Sequence, residues 1–236
     1  MGLRLGLGLP ARRRIISPSP PPVGEPPGTF GYRQTVTESA TSTVKTYASI
    51  DFSTAHSTRM VAAIISWQSN VARTILSVTI GGISATLAVA QGTSTGANRV
   101  EIWYAAVPNG TSGDVVVTFS GDVDNGSACM VWSGYPASQT PVDSGGATAA
   151  SGGLMTISDL AVTSGGFAVA GSAGFTTGNT WAWSGADALA ERVDAVSNQN
   201  GYSGIDIVVT ASSTLDDMTC DPLGTSRSCI AAASWA

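Results

Sequence analysis

Charged residues are scarce in this chain of 236 residues, where Asp, Glu, Lys and Arg together make up 11%. Globular domains usually carry about 25%. Such scarcity argues against a helical enzyme rich in Leu, Glu and Lys, and against a coiled coil. The chain also lacks any apolar run near the roughly 18 residues that a membrane-spanning helix needs. We therefore expect a non-helical protein without membrane insertion.

Residues that commonly carry out catalysis are also few. The only histidine, His56, stands beside Ser57 in a polar segment, which is more typical of a surface residue than of a general base. No nucleophile-elbow, zinc-protease or phosphate-loop motif occurs. We predict no catalytic residues, no cofactor and no enzymatic activity.

Metal-binding patterns are absent as well. Cys129, Cys220 and Cys229 are odd in number and show no zinc spacing, so each is either a buried thiol or, for Cys220 and Cys229, half of a disulfide across a hairpin. The stretch 122–126 begins like a calcium loop, but its glycine comes one position early and no glutamate follows at the required distance. A role of these acids in turns is the preferred interpretation.

The charges that are present divide the chain into two parts. Residues 1–33 hold five arginines and one glutamate, a net charge of +4, although the whole chain carries −5. The remainder therefore carries −9, which excludes a basic face for nucleic acid on the main body. This asymmetry indicates that the N-terminal segment has a partner of its own.

The N-terminal segment consists of an arm, residues 1–16, and a linker, residues 17–29. Seven of the 11 prolines fall before residue 29, which favours an extended spacer. Leucines recur at every second position of the arm, the period of a strand, so the arm is suited to adding to a partner's sheet edge; a disordered tail is the alternative. The order of basic and apolar residues does not match an export signal. The predicted anchoring residues are Leu3, Arg4, Leu5, Leu7, Leu9, Arg12, Arg13 and Arg14.

Residues 30–236 have the alternating pattern of many short strands. Gly81-Gly82 and Pro108-Asn109-Gly110 are turn sequences, and each predicts a hairpin. Residues 186–195 fit either a helix or a strand, and their neighbourhood favours the strand. The sequence predicts one all-β domain over residues 30–236, an antiparallel, jelly-roll-like β-sandwich.

Two of the six tryptophans stand out from the strands with apolar neighbours. Trp181 and Trp183 are two residues apart, so they share one strand face, and they follow a polar segment. Two rings on an exposed face would form a platform for a sugar or a protein partner. Packing between the sheets is the other interpretation, and it is favoured because large aromatic side chains usually belong to the core.

The start MGLRLGLGLPARRR, the proline-rich spacer and the run VEIWYAAVPNGTSGDVVVTFSG in a lysine-poor β body resemble accessory virion proteins of tailed bacteriophages and gene transfer agents. These are head fibres, spikes, decoration proteins and tail appendages. The resemblance implies an N-terminal anchor on capsid or tail proteins and a displayed, often oligomeric, β domain. A bacterial carbohydrate-binding or adhesin module is the alternative, and a glycan hydrolase would need a carboxylate pair in one cleft.

Partners and location follow from this interpretation as expectations. The apolar segments 205–209 and 229–235 would be hazards as unpaired edges, and few surface charges keep copies apart, so we expect a homotrimer or homopentamer. A host-surface glycan is a candidate ligand. The protein is expected in the virion, assembled in the cytoplasm of a bacterial host.

Overall fold

The computed structural model describes residues 30–175, 181–185, 189–209, 213–214, 217–223 and 227–236. All regular elements in these ranges are β-strands, and every strand pairing is antiparallel. No helix in the described ranges is long and apolar enough to cross a membrane. The predicted all-β, antiparallel class is confirmed.

Residues 30–134 form two sheets packed face to face, named here the N-terminal sandwich. Its strands are β1 (Phe30–Glu38), β2 (Ser42–Asp51), β3 (Met60–Gln68), β4 (Ile75–Ile80), β5 (Ile83–Ser84), β6 (Thr86–Gly92), β7 (Asn98–Ala106), β8 (Ser112–Val123) and β9 (Ser127–Gly134). One sheet has the order β1-β9-β3-β7-β6 and the other β2-β8-β4-β5.

Residues 143–235 form the C-terminal sandwich. Its strands are β10 (Asp143–Ala149), β11 (Met155–Ile157), β12 (Ala161–Val162), β13 (Phe167–Phe175), β14 (Trp181–Ser184), β15 (Leu189–Ser197), β16 (Asn200–Val208), β17 (Ser213–Thr214), β18 (Met218–Pro222) and β19 (Ser228–Trp235). A five-stranded sheet, β10-β19-β13-β16-β15, faces the short sheet β11-β18-β14, and β12 pairs with β17. The strand assignment of β15 agrees with the strand expected for residues 189–195; residues 186–188 lie outside the described residues.

The two sandwiches share one strand topology. Taken in chain order, β10-β19-β13-β16-β15 corresponds strand for strand to β1-β9-β3-β7-β6, and β11-β18-β14 corresponds to β2-β8-β4. One backbone hydrogen bond matches as well. Gln68 N donates to Gly126 O and Phe175 N donates to Arg227 O, each at 3.1 Å. In both sandwiches the acceptor is the residue immediately before the last strand. The fold is therefore an internal structural duplication, for which the sequence shows no obvious repeat.

The core of the N-terminal sandwich follows from the alternation along β3. Val61, Ala63, Ile65 and Trp67 point to the partner sheet, where they pack with residues such as Phe119 in one buried cluster. The two sheets shield this cluster from solvent. Its residues on β3, β7 and β9 lie on strands in the middle of the larger sheet. Burial of such side chains is the main source of stability in a sandwich.

The other face of β3 is apolar too, which explains its nearly continuous hydrophobic run. Met60, Ala62 and Ile64 belong to a second cluster that joins the two five-stranded sheets, named here the central layer. Trp132 enters it from the N-terminal sandwich, and Trp235 enters it from the C-terminal one. The molecule is thus a stack of four sheet layers, with the two larger sheets in the middle.

Two glycines let the sandwiches approach closely in the central layer. Gly171 and Gly204 lie directly opposite each other on β13 and β16. A Cβ atom on Gly171 would lie 2.5 Å from Ile64 Cγ2, and one on Gly204 would lie 2.8 Å from Trp132 Cη2. Side chains of the N-terminal sandwich therefore fill a hollow that only glycine leaves open.

The predicted Gly81-Gly82 hairpin is confirmed. Ile80 pairs with Ile83, and both glycines have positive φ values, +58° and +78°, as a two-residue type I′ turn requires. The returning strand β5 ends after Ser84, and the chain then crosses to the larger sheet as β6.

The hairpin predicted at 108–110 is wrong. β7 pairs with β3 and β6, whereas β8 pairs with β2 and β4, so the turn carries the chain from one sheet to the other. The buried guanidinium of Arg59 holds this crossing by donating to the carbonyl oxygens of Val107, Asn109 and Gly110 at 2.7–2.8 Å. A side chain distant in sequence thus replaces the ladder bonds that a hairpin would make.

The argument for oligomers from unpaired apolar edges is also wrong. Residues 205–208 lie in β16, between β13 and β15, and residues 229–235 lie in β19, between β10 and β13. Both strands thus have a hydrogen-bonded neighbour on each side, and neither apolar segment is a sheet edge. The edges of the two large sheets are β1, β6, β10 and β15.

Candidate functional site

Trp181, the first ring of the proposed binding platform, is a core residue. It is 2% exposed and packs in the buried cluster between the two sheets of the C-terminal sandwich. Its backbone N–H donates to Asp194 Oδ2 at 3.1 Å, which fixes β14 against β15. The prediction of an exposed ring at this position is wrong.

Trp183 faces the same interior, because residues two apart on a strand share one face. It is half-buried and packs against the same cluster. Its indole Nε1 donates to Ser203 Oγ at 2.7 Å, and Ser203 in turn bonds Ser172 Oγ at 2.9 Å. The two tryptophans therefore join the sheets of the C-terminal sandwich and do not form an open stacking platform.

The predicted anchoring residues of the arm, Leu3 to Arg14, lie outside the described residues. The arm and linker boundaries at residues 16 and 29 lie there too. The first described residue, Phe30, stacks on Phe167 of the other sandwich with ring centroids 3.5 Å apart. The point where the N-terminal segment leaves the body is thus fixed beside the central layer.

The three cysteines are buried free thiols. Cys220 lies in the cluster of the C-terminal sandwich, whereas Cys229 faces the central layer, so the disulfide considered for this pair does not form. Burial raises the pKa of Cys229 to about 12 and raises the pKa of Cys129 and Cys220 well above the ordinary value. All three are poor nucleophiles at neutral pH.

The polar candidates in loops have structural partners. The His56 ring lies edge-on to Tyr135, and its Nδ1 is 2.9 Å from Thr58 Oγ1. Asp124 accepts hydrogen bonds from Ser69 Oγ and from the backbone and side chain of Asn70, all at 2.9–3.0 Å. Asp124 therefore ties two loops together, as the turn interpretation of residues 122–126 expects.

Two buried carboxylates each hold an arginine and an indole. Glu101 accepts from Arg99 Nη2 at 3.0 Å and from Trp103 Nε1 at 2.9 Å, and burial raises its pKa despite these bonds. Asp206 plays the matching part in the C-terminal sandwich. It accepts from Arg192 at 2.8 and 2.9 Å and from a tryptophan of the other sandwich. Both carboxylates are committed to internal bonds.

A second pair of carboxylates lies on edge strand β15. Burial raises the pKa of Glu191 and of Asp194, and the charge of Asp194 raises that of Glu191 further. Asp194 is bonded to the backbone of Trp181, so it positions β14. A raised pKa suits a general acid, but the nearby thiol of Cys220 is buried, and burial together with the charges of Glu191, Asp221 and Asp194 raises its pKa well above the ordinary value.

A cavity in the described part of the chain lies at the seam between the two sandwiches. It measures about 200 Å³ and is lined by Thr93, Ser94, Thr148, Ala149, Ala150 and Arg227. We name it the seam cleft, because both sandwiches contribute to its lining. Thr93 and Ser94 come from the turn between β6 and β7, and the other residues come from the C-terminal sandwich. The exposed residues Ser94, Thr148 and Ala150 and one arginine thus line one small space.

Arg227 is held in the seam cleft by its backbone, so its side chain is left available. Its carbonyl oxygen accepts from Phe175 N at 3.1 Å and from Asn98 Nδ2 at 3.5 Å. Its Nη1 donates to Thr95 Oγ1 at 3.1 Å. Among the described residues, no carboxylate forms an ion pair with this guanidinium. A half-buried cation therefore faces the cleft, and toward the other described residues its side chain makes one hydrogen bond, the bond to Thr95.

The structural duplication supplies a counterpart to this cleft, and the counterpart is closed. Gly126 stands where Arg227 stands in the other sandwich, and a Cβ atom on Gly126 would lie 2.2 Å from Ser197 O. Gln199 N donates to Asn125 O at 3.2 Å across the same gap. One seam is thus sealed by direct backbone contact, while the other is open and lined by polar groups.

Sequence reasoning missed the seam cleft. The signal was a single arginine in the hydroxyl-rich sequence GTSRS of an otherwise acidic body. Its meaning depends on Thr93 and Thr148, which come from distant strands, so no local pattern connects the three residues. The two tryptophans drew attention because large rings in a polar segment are visible in sequence alone.

In the described ranges, no group of three or more His, Cys, Asp or Glu side chains is placed to hold a metal ion. Comparisons with protein-family models, curated proteins and solved structures found no match to this chain. What the molecule does is therefore inferred from its own residues and their geometry.

Proposed function

We propose that this chain is a structural and attachment protein of a phage-like particle. Residues 1–16 dock it to capsid or tail proteins, residues 17–29 act as spacer, and residues 30–236 are displayed. The observation that carries the proposal is the division of charge and pattern. Residues 1–29, with four arginines, one glutamate and alternating leucines, carry a net charge of +3 and precede an acidic body in which most cations serve internal contacts.

The basic side chains of the body support this division. Lys45, the only lysine, and Arg59 are buried, and both bond to backbone carbonyl oxygens. Arg99 and Arg192 pair with buried carboxylates. Few cations are left for phosphate groups or acidic partners, so a capsid or tail surface that binds cations would recognise the arm and not the body.

The geometry of the body favours binding over catalysis. Its buried carboxylates hold arginines and indoles, its thiols are buried, and its histidine packs against an aromatic ring. What the body offers to a partner is a broad, hydroxyl-rich surface and the seam cleft. Display on a particle uses such a body directly, since many copies make weak contacts effective.

Assembly and location are part of the proposal. A homotrimer or homopentamer would match the symmetry of a docking site on a capsid or tail. The protein would be made in the cytoplasm of a bacterial host and be carried in the virion. A bacterial carbohydrate-binding or adhesin module is the second candidate function, and the polar lining of the seam cleft is the observation that favours it.

Density-gradient sedimentation tests the proposed function. Lysates that contain the particles are separated, and an antibody against residues 30–236 locates the protein. We expect a band that migrates with the major capsid protein, and electron microscopy with antibody-bound gold should label one region of the particle. Protein found only in the soluble or cell-surface fractions would contradict the particle role, and recovery at the cell surface would favour the adhesin alternative.

A further inference from the structure

The seam cleft differs from the closed seam by side chains that recognise ligands. Arg227 replaces Gly126, and Thr148 together with Ser94 places exposed hydroxyls around the guanidinium. If the gap were a packing defect, the duplicated position would be expected to show one as well. The counterpart is instead sealed by the contact of Gly126 with Ser197. The asymmetry therefore indicates a built site.

We propose that the seam cleft binds a single carboxylated sugar unit, such as a uronic acid at the end of a glycan chain. This deepens the proposed function, since it names a ligand for the displayed body, and it rests on that function. Guanidinium groups bind carboxylates through two parallel N–H bonds, and among the described residues the Arg227 side chain donates only to Thr95, through Nη1.

The remaining lining fits the rest of a sugar ring. The exposed hydroxyls of Ser94 and Thr148 can donate to and accept from ring hydroxyls. Ala150 offers an apolar contact for the face of the ring. A cavity of about 200 Å³ is below the ~300–1,000 Å³ of sites for drug-sized ligands, so one ring is the expected occupant.

Buried polar groups beside the cleft are consistent with a wet, polar site. Asn98, which donates to the Arg227 carbonyl, has its Oδ1 without a partner among the described residues, and so does the Oγ of Ser228. Such atoms in folded proteins are normally satisfied by water or by a ligand. Both lie next to Arg227, so the polar character extends behind the cleft lining.

Titration of the full chain tests this proposal with three probes: methyl glucuronide, methyl glucoside and sodium acetate. Saturation-transfer NMR and calorimetry should detect weak, millimolar binding of methyl glucuronide, with both other probes bound at least about tenfold more weakly. Arg227→Gln should weaken methyl glucuronide by about tenfold or more, and Thr148→Val by several-fold. Arg73→Gln, which removes another partly exposed arginine, should leave binding unchanged.

Several results would overturn the site. These are no binding of methyl glucuronide by the full chain, equal binding by Arg227→Gln, or acetate or glucoside binding as tightly as glucuronide. Thermal unfolding checks that each variant is folded, and Ser94→Ala together with Thr148→Val tests the site if Arg227→Gln does not fold. Particle incorporation of Thr148→Val should equal that of the natural chain, which separates failure of the sugar site from failure of the docking role.

Discussion

The indole Nε1 of Trp132 donates a 2.8 Å hydrogen bond to Oδ2 of Asp206 across the central layer. Trp132 belongs to β9 of the N-terminal sandwich and Asp206 to β16 of the C-terminal one. Arg192 bonds both oxygens of the same carboxylate, so the charge is compensated where it is buried. This bond is a directional link between two sandwiches that are otherwise joined mainly by apolar packing.

Trp132→Phe should therefore weaken the whole fold. Loss of a hydrogen bond to a buried charge costs ~1.5–3 kcal/mol, and the smaller ring leaves space above Gly204. Trp103→Phe is the matched control, since Trp103 donates to Glu101 within one sandwich and is only half-buried. Urea unfolding should show a clearly larger loss for Trp132→Phe. An equal or smaller loss would mean that the Trp132 bond contributes no more by joining the two sandwiches than the Trp103 bond contributes within one.

The glycine hollow gives a second prediction. In Gly171→Ala the new methyl group would lie 2.5 Å from Ile64 Cγ2, so the sandwiches must separate or the side chain must move. Overpacking of this kind costs ~1–3 kcal/mol. Gly31→Ala has no atom within 4 Å of the new Cβ and should change the free energy of unfolding by less than about 0.5 kcal/mol. Similar values for the two variants would contradict close packing at the central layer.

Arg59 is expected to stabilise the crossing between β7 and β8. Arg59→Lys keeps the charge but cannot reach four carbonyl oxygens, which include that of Ser53, and buried acceptors without partners cost ~1–3 kcal/mol each. We expect a loss of about 3 kcal/mol or more in chemical denaturation. Arg73→Lys changes a partly exposed arginine with one bond to a carbonyl and should cost below about 1 kcal/mol. A mild effect of Arg59→Lys would show that the turn holds itself.

Asp124 predicts a specific pH dependence. Burial alone would raise its pKa, but hydrogen bonds from Asn70 and Ser69 outweigh burial and hold the pKa below the ordinary value of 3.8. A carboxyl group with a lowered folded pKa stabilises the protein above its unfolded pKa, and this stability is lost as pH falls through the folded pKa.

Asp124→Asn should consequently lower the urea midpoint at pH 7, and its difference from the natural chain should shrink between pH 4 and pH 2. Asp159→Asn is the control, because this substitution removes the same charge from an exposed residue. A difference that stays constant with pH would show that the charge of Asp124 has no part in joining the loops.

Some of this fold was readable in sequence because the relevant physics is local. The alternation of Val61, Ala63 and Ile65 predicted a strand, and the pair Gly81-Gly82 predicted a tight turn that needs positive φ. The Pro108-Asn109-Gly110 turn was misread because its destination depends on Arg59, about 50 residues earlier in the chain. Sequence pattern shows that a turn occurs and does not show which sheet the chain enters next.

The site was harder to predict for the same reason. Trp181 and Trp183 were placed on one strand face correctly, but whether that face is covered depends on β13, β16 and β19. The seam cleft requires the duplicated sandwiches to pack face to face, with Arg227 at one seam and Gly126 at the other. Neither relation leaves a local pattern, because the duplication is visible in strand order and not in obvious sequence repetition.

The central claim is that the arm anchors the displayed body, and deletion of residues 2–16 tests it most directly. Particles assembled with the deleted chain are compared with particles assembled with the full chain, and circular dichroism checks that both chains keep the same β body. We predict that the deleted chain stays folded and soluble and is lost from the particle fraction. Incorporation of the deleted chain at the level of the full chain would contradict the account.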